Sequence, residues 1–179
     1  MSRYSPAIST ISRTQWIAQT ALFLSLALVL PVGLHAFGIA GRIFLPMHIP
    51  VLLAGFLVGP GSGLVVGLIA PALGHLITGM PPAYAVPLMA LELPIYGLIA
   101  GLAYNRLKLN IYIALVAAMI FGRLMFAGGL VVLGLFMELP YTATVFFAAG
   151  GPMLAGLPGI VIQLFMIPVI VAGVRRHRS

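Results

Sequence analysis

Long apolar runs with scarcely a charged residue constrain this sequence more than any other feature. The chain is 62% hydrophobic and 6% charged, whereas a soluble domain of 179 residues would carry roughly a quarter charged residues. Several runs exceed the roughly 18 apolar residues that mark a membrane-spanning helix. The alternating segments of about ten residues that mark membrane β-strands are absent from the sequence. The sequence therefore predicts an all-α integral membrane protein.

The runs divide into six predicted transmembrane helices that form a single domain over 1–179. The second helix is too short to cross about 30 Å of hydrocarbon at 1.5 Å per residue, so we expect it to span together with ordered loop. Pro60-Gly61-Ser62-Gly63 predicts a tight turn before the third helix. A stretch rich in small residues, 143–157, has no clear pattern. The predicted helices cover 15–34, 48–59, 63–79, 86–104, a fifth from Ile111 that ends between 128 and 137, and a sixth that ends at Gly173.

Basic residues gather on one side of the predicted bundle. Six spans place both termini on the same side, and seven of the nine lysines and arginines fall there. Because cytoplasmic ends are rich in Lys and Arg, both the polar N-terminus 1–14 and the basic tail 175–179 are predicted to be cytoplasmic. The N-terminus is polar for too long to be a signal peptide, so we expect the first helix to be retained. The seven are Arg3, Arg13, Arg106, Lys108, Arg175, Arg176 and Arg178, and the exceptions are Arg42 and Arg123.

The scarce polar side chains converge on the opposite, outer half of the predicted bundle. An ionisable group within a membrane costs a few kcal/mol on insertion scales and is a candidate for function. Simpler explanations exist: Glu92 and Arg123 could pair only with each other, and His48 could cap its helix. His75 could be a packing histidine, and Gln163 could bond between helices. The candidate solute-binding residues are Arg42, His48, His75, Tyr84, Glu92, Tyr96, Arg123 and Gln163.

Small residues recur at every fourth position along several predicted helices. Such faces let helices approach closely, either within one bundle or against a partner membrane subunit. The residues are Ala21 and Ser25 in the first helix, Gly55, Gly59, Gly63 and Gly67 across the second and third, and Gly97 and Gly101 in the fourth.

Several kinds of chemistry are excluded by the residues the chain lacks. It has no cysteine, so it offers no thiol nucleophile or thiolate metal site. Its single lysine, Lys108, follows Leu107, so no GxxxxGK phosphate loop exists and the chain cannot use ATP by that route. The irregular spacing of the histidines is a weak metal signal, and no metal or cofactor is predicted. The basic residues sit at the ends of apolar spans, which does not favour nucleic-acid binding. We expect a protein that is not an enzyme.

Four segments carry a resemblance to a known family. LPMHIPVLLAG (Leu45–Gly55), GMPP (Gly79–Pro82), ELPIYGLIAGLAYN (Glu92–Asn105) and AMIFGR (Ala118–Arg123) resemble the substrate-binding S components of energy-coupling factor (ECF) vitamin transporters. Length, six spans and inside termini are also similar, so the likeness covers nearly the whole chain. Members share a fold with little sequence in common, so the resemblance leaves the substrate open among a corrinoid or its precursor, a pyridoxine-like ring, flavin, pantothenate and folate.

The resemblance implies a function and a set of partners. Such proteins bind one vitamin or precursor in an outward pocket in the plasma membrane of a prokaryote. They deliver it inward with a membrane coupling subunit and two ATPases, which use the ATP. Members often dock through an Ala-xxx-Ala pair in the first helix, for which Ala21 and Ser25 are the nearest match; Gly55 and Gly59 are further docking candidates. The alternatives are a self-sufficient facilitator or channel, and an assembly partner without a ligand.

Overall fold

The computed structural model describes residues 12–36, 45–149 and 151–176, and within these ranges all regular structure is helical. Five helices are long and apolar enough to cross a membrane, and the ten-residue α2 is short, as the sequence predicts. The helices are α1 Arg13–Ala36, α2 His48–Leu57, α3 Pro60–Thr78, α4 Ala85–Gly101, α5 Ile111–Leu133, α6 Ala143–Phe147, α7 Pro152–Ala155 and α8 Leu157–Arg176, and α4 continues as a π-helix, Leu102–Arg106.

The connection between α2 and α3 differs from the predicted turn. Pro60–Gly63 forms the first turn of α3, and the chain reverses one step earlier at Gly59, whose φ of 134° suits glycine. A proline fits the first helical position because the N–H it lacks would have no partner there. The predicted turn was therefore wrong: the Pro-Gly pair starts a helix instead of separating two.

The short helix α2 lies at the centre of the bundle. Its residues His48–Phe56 are all buried, and it packs against α1, α3, α4 and α8. Val51, Leu52 and Phe56 of this helix belong to the apolar core, and none of them is exposed. A helix surrounded on several sides by others must be apolar all round, which explains why α2 shows no polar stripe.

Helices α3 and α4 pack at backbone distance through glycines. A Cβ atom at Gly63 would lie 2.6 Å from the Cα of Gly97, closer than real Cβ contacts come. Gly67 faces the backbone of Leu93 in the same way, and Gly55 of α2 faces Gly97. These glycines therefore serve packing within the bundle, one of the two roles that the sequence left open.

Two polar side chains bind the carbonyl groups at the end of α2. Asn105 Nδ2 donates to the carbonyl oxygens of Gly55 (3.0 Å) and Phe56 (3.3 Å). Arg175 Nη2 donates to Asn105 Oδ1 (2.7 Å) and to Phe56 O (3.3 Å), and its guanidinium lies 4.3 Å from the centre of the Tyr104 ring. The last carbonyls of a helix have no partner within it, so Asn105 and Arg175 act as its cap.

Replacing Asn105 with alanine should lower the free energy of unfolding by about 1–3 kcal/mol, because the buried carbonyl of Gly55 loses its side-chain donor while that of Phe56 keeps Arg175. The measurement is the thermal midpoint of the detergent-purified protein. Arg106→Ala, one residue further on the same segment and exposed, is the control and should change the midpoint little. Equal effects of the two substitutions would contradict a capping role for Asn105.

Candidate solute-binding site

A buried carboxylate between an arginine and a histidine lies where α2, α4 and α5 meet. Arg123 Nη1 of α5 lies 3.1 Å from Glu92 Oε1 of α4, and His48 Nε2, at the first residue of α2, lies 3.6 Å from the same oxygen. The side chains are almost wholly buried, with residue exposures of 2% for Glu92 and His48 and 8% for Arg123. The pairing of Glu92 with Arg123, one explanation weighed from the sequence, is therefore present, and His48 joins it.

Tyr96 completes this group one helical turn after Glu92. Its ring packs edge-on against His48 with 4.9 Å between ring centres, and the residue is 1% exposed. Gly122, next to Arg123 on α5, makes room for it, because a Cβ atom there would overlap the tyrosine ring. We call His48, Glu92, Tyr96 and Arg123 the polar cluster.

Most polar atoms of the cluster have no hydrogen-bond partner within the described part of the protein. They are both ring nitrogens of His48, Glu92 Oε1, the Tyr96 hydroxyl, and Nε and Nη2 of Arg123. The ionic contact between Glu92 and Arg123 thus supplies proximity without hydrogen-bond geometry. Buried polar groups in proteins are nearly always bonded, and each one left unpaired costs about 1–3 kcal/mol. Such a concentration is typical of a site that binds something else.

Helix α8 adds a further buried polar side chain. Gln163 is fully buried, and in the described ranges neither its amide oxygen nor its amide nitrogen has a hydrogen-bond partner. Its helix packs against α2 and α5, which carry His48 and Arg123. The sequence left open an interhelical hydrogen bond for Gln163, but the described residues provide none.

Residues of α6 and of the turn before α8 cover the arginine. The Phe146 ring centre lies 5.8 Å from the guanidinium carbon of Arg123, and Phe146 packs on Phe126 with 4.9 Å between ring centres. A Cβ atom at Gly156 would lie 3.3 Å from Arg123 Nη2 and 3.4 Å from Leu45 Cδ1. Phe146 and Gly156 were not among the predicted site residues, because only their position in the fold distinguishes them from the other apolar residues of 143–157.

A separate open cavity of about 770 Å³ lies beyond the end of α5. It is lined by 130–131, 134–139 and 141–144, and shares Leu130 with the apolar cluster that contains Phe126 and Phe146. Its one charged side chain, Glu138, is exposed. A charge already in water gains little from a solute, so we place the candidate site at the polar cluster and not in this cavity.

Comparison with known families decides what kind of protein carries this site. The family described as ECF transporter, substrate-specific component, matches residues 15–172, which is most of the chain. The chain is an ECF transporter S component. No curated protein and no solved structure matches it significantly. The resemblance read from the sequence is confirmed, and with it a transmembrane transport protein.

The remaining predicted site residues of this S component are His75, Tyr84 and Arg42. His75 Nδ1 donates to the carbonyl oxygen of Pro81 (2.9 Å), which ties the end of α3 to the following loop. Tyr84 precedes α4 and is half-buried. Arg42 lies outside the described residues. In the described ranges, no three His, Cys, Asp or Glu side chains form a group that could hold a metal ion.

The predicted docking residues of the S component fall into two groups. Ala21 and Ser25 are exposed on α1, where the Ser25 hydroxyl donates to the carbonyl oxygen of Ala21 (2.9 Å). Gly55 is buried against Gly97, and Gly59 is half-buried at the start of α3. A docking role for these four residues remains a prediction.

Replacing Tyr96 with phenylalanine should weaken solute binding by about 5- to 10-fold, while leaving the thermal midpoint of the solute-free protein unchanged or higher. The substitution removes a buried hydroxyl that has no hydrogen-bond partner among the described residues, so the solute-free fold loses no hydrogen bond. The bound solute would lose the hydrogen bond that it makes with this hydroxyl. Calorimetric affinity and thermal midpoint are measured together. Tyr112→Phe, on the exposed face of α5, is the matched control. Unchanged affinity in Tyr96→Phe would exclude its hydroxyl from the site.

Proposed function

We propose that this S component binds a small solute, a vitamin or vitamin precursor, at the polar cluster and delivers it into the cell. Delivery would require a membrane coupling subunit and two ATPase subunits. One observation carries the proposal: buried, unpartnered polar atoms converge from α2, α4 and α5 in a protein otherwise packed with apolar side chains. Because the family is the substrate-specific component of a transporter, a solute is the natural partner for these atoms.

The cluster suits a solute that must leave water. Arg123 and Glu92 can replace the hydration of the solute with hydrogen bonds that are strong because they involve charged groups, and the His48 ring adds a further donor or acceptor. Phe146 and Phe126 offer apolar surface beside them, as small-molecule sites generally combine many apolar groups with a few directed polar ones. Closure by the segment around Gly156 would exclude water and strengthen each polar contact.

The position of the cluster along α2 supports an outward-facing site. His48 begins α2, while Phe56, near its other end, binds Asn105 and Arg175. Ten residues at about 1.5 Å each separate these ends by roughly 15 Å. The basic end of the bundle would face the cytoplasm of a prokaryotic cell, with both termini on that side of the plasma membrane. The polar cluster would then lie toward the outside, in a bundle of six spans with α2 as the short one.

The coupling subunit is proposed to dock on α1. The side chains of Ala21 and Ser25 are small and exposed on α1, which allows a partner helix to approach closely. The chain lacks a phosphate-binding loop, so ATP would be used by the partner subunits and no cofactor would be held here.

Transport by reconstituted protein tests the proposal. The purified chain in lipid nanodiscs should bind its solute alone, whereas proteoliposomes should accumulate solute only with the coupling subunit, the ATPases and ATP. Ala21→Trp should keep binding and lose uptake, while Ile113→Trp, on the exposed surface of α5, should keep both. Rapid uptake by the chain alone would contradict the proposal and indicate a facilitator.

A further inference from the structure

The polar cluster leaves one whole edge of a guanidinium group unused. Arg123 turns Nη1 toward Glu92, and its two unpartnered nitrogens are Nε and Nη2. The N–H bonds of Nε and Nη2 point the same way along one edge of the planar group, so they form a two-donor fork. From this edge we infer, resting on the proposed function, that the solute is net-neutral, offering two adjacent coplanar acceptors to Arg123 and an N–H donor to Glu92.

The acceptor half of the inference follows from the geometry of the fork. Two parallel N–H donors are satisfied together only by two acceptor atoms in the same plane, about as far apart as the oxygens of a carboxylate. A carbonyl oxygen beside a ring nitrogen in a heterocycle presents the same pattern. A lone hydroxyl or an ammonium group does not, so sugars and simple amines leave at least one donor of Arg123 unpaired.

The donor half follows from the carboxylate. An ionised carboxylate only accepts hydrogen bonds, and among the described residues Glu92 Oε1 has no hydrogen-bonded partner although Arg123 and His48 lie beside it. A solute N–H group directed at this oxygen completes it. The Tyr96 hydroxyl and the His48 ring can each donate or accept, so they adapt to the solute and do not set its chemistry.

Charge balance sets the net charge of the solute. The formal charges of Arg123 and Glu92 cancel, and both side chains are buried. An anion or a cation would bring an uncompensated charge into surroundings where unpaired charge is costly. Two kinds of solute meet every condition: an uncharged planar heterocycle with an acceptor pair and an N–H, and a zwitterion with a carboxylate on Arg123 and an ammonium on Glu92. Phe146 beside the guanidinium gives either one a flat apolar wall.

The test begins with the solute that the protein itself retains. Protein purified from cells grown in rich medium is extracted and the released small molecule identified by mass spectrometry. In parallel, thermal shift and calorimetry measure the binding of four probes. They are riboflavin (uncharged, with acceptor pairs and an N–H), tryptophan (zwitterion), pantothenate (anion) and thiamine (cation). We expect an extracted solute that is net-neutral at pH 7, and binding of the uncharged or zwitterionic probe in preference to the charged ones. An anionic or cationic extracted solute, or preferred binding of pantothenate or thiamine, overturns the inference.

Two conservative substitutions locate the contacts. Arg123→Lys keeps the charge but loses the two-donor fork, so it should lower the affinity for the solute by roughly 10- to 100-fold. Glu92→Gln keeps the shape of the side chain but leaves Arg123 without a counter-charge. It should lower the affinity for the same solute by at least about 10-fold and raise the affinity for pantothenate by about 10-fold or more. Thr20→Val is the matched control: it breaks a buried bond to Ser62 (2.9 Å) between α1 and α3 and should leave affinity unchanged.

The outcomes separate the inference from the proposed function. Unchanged solute affinity in Glu92→Gln, with no gain for pantothenate, overturns the N–H contact and the charge balance while leaving solute binding intact. If no solute is extracted and no water-soluble vitamin, charged or neutral, raises the thermal midpoint of the wild-type protein, both the inference and the proposed function fail. Correct folding of each variant is checked by its solute-free thermal midpoint.

Discussion

Replacing Arg123 with alanine should abolish solute binding and lower the free energy of unfolding by about 3–5 kcal/mol. The substitution leaves Glu92 as a buried carboxylate without its ion-pair partner, with His48 at 3.6 Å, and removing one partner of a buried ion pair has a cost of this size. Thermal or denaturant unfolding in detergent measures the stability, and calorimetry measures the binding.

A double variant separates the two losses. In Arg123→Met combined with Glu92→Gln the isolated charge is gone, so stability should return most of the way to wild type, because a buried ion pair adds little net stability over neutral groups of similar volume. Binding should stay lost, since the solute contacts are missing. If the double variant binds the solute like wild type, or if Arg123→Ala alone is as stable as wild type, the pair is not the centre of the site.

Replacing Gly97 with leucine should prevent the bundle from forming, with a loss above about 3 kcal/mol, at or beyond the top of the range usual for overpacking. Even a Cβ atom at Gly97 would overlap the backbone of Gly63, and backbone cannot move aside as a flexible side chain can. The measurement is the yield of monodisperse protein and its thermal midpoint.

Gly128 provides the matched control for this prediction. It lies in α5, and a Cβ atom there would have no neighbour within 4 Å. Gly128→Ala should therefore leave the midpoint unchanged or raise it slightly, as alanine favours helix. Similar midpoints for Gly97→Leu and wild type would show that α3 and α4 do not approach through their glycines.

The long helices were predictable because uninterrupted apolar runs leave the backbone no other way to satisfy its polar groups in a membrane. That α2 is short was predictable from the length of its apolar run alone. The start of α3 did not follow, because Pro60 and Gly61 are compatible with either a turn or a first helical turn, and packing of Gly63 on α4 decides between them. The sequence also could not distinguish glycines that pack within the bundle from glycines that would meet a partner, since both need the same spacing.

Part of the site was predictable because charged residues are scarce within the apolar segments. A buried ion is so costly in a membrane that Glu92 and Arg123 stand out in any reading of the chain. The contact between Glu92 and His48 could be seen only in the fold, which brings the first residue of α2 to the middle of α4. The covering residues Phe146 and Gly156 were missed because an apolar wall and a close approach leave no mark on a sequence already rich in phenylalanine and glycine.

A structure of the protein with the solute it retains, at a resolution that shows individual hydrogen-bonded groups, tests the central claim most directly. The account predicts non-protein density within hydrogen-bond distance of Arg123 Nε and Nη2, with Glu92 Oε1 receiving a donor from the same molecule. Density confined to the cavity at the end of α5, with the atoms of the polar cluster bonded only to protein, would contradict it.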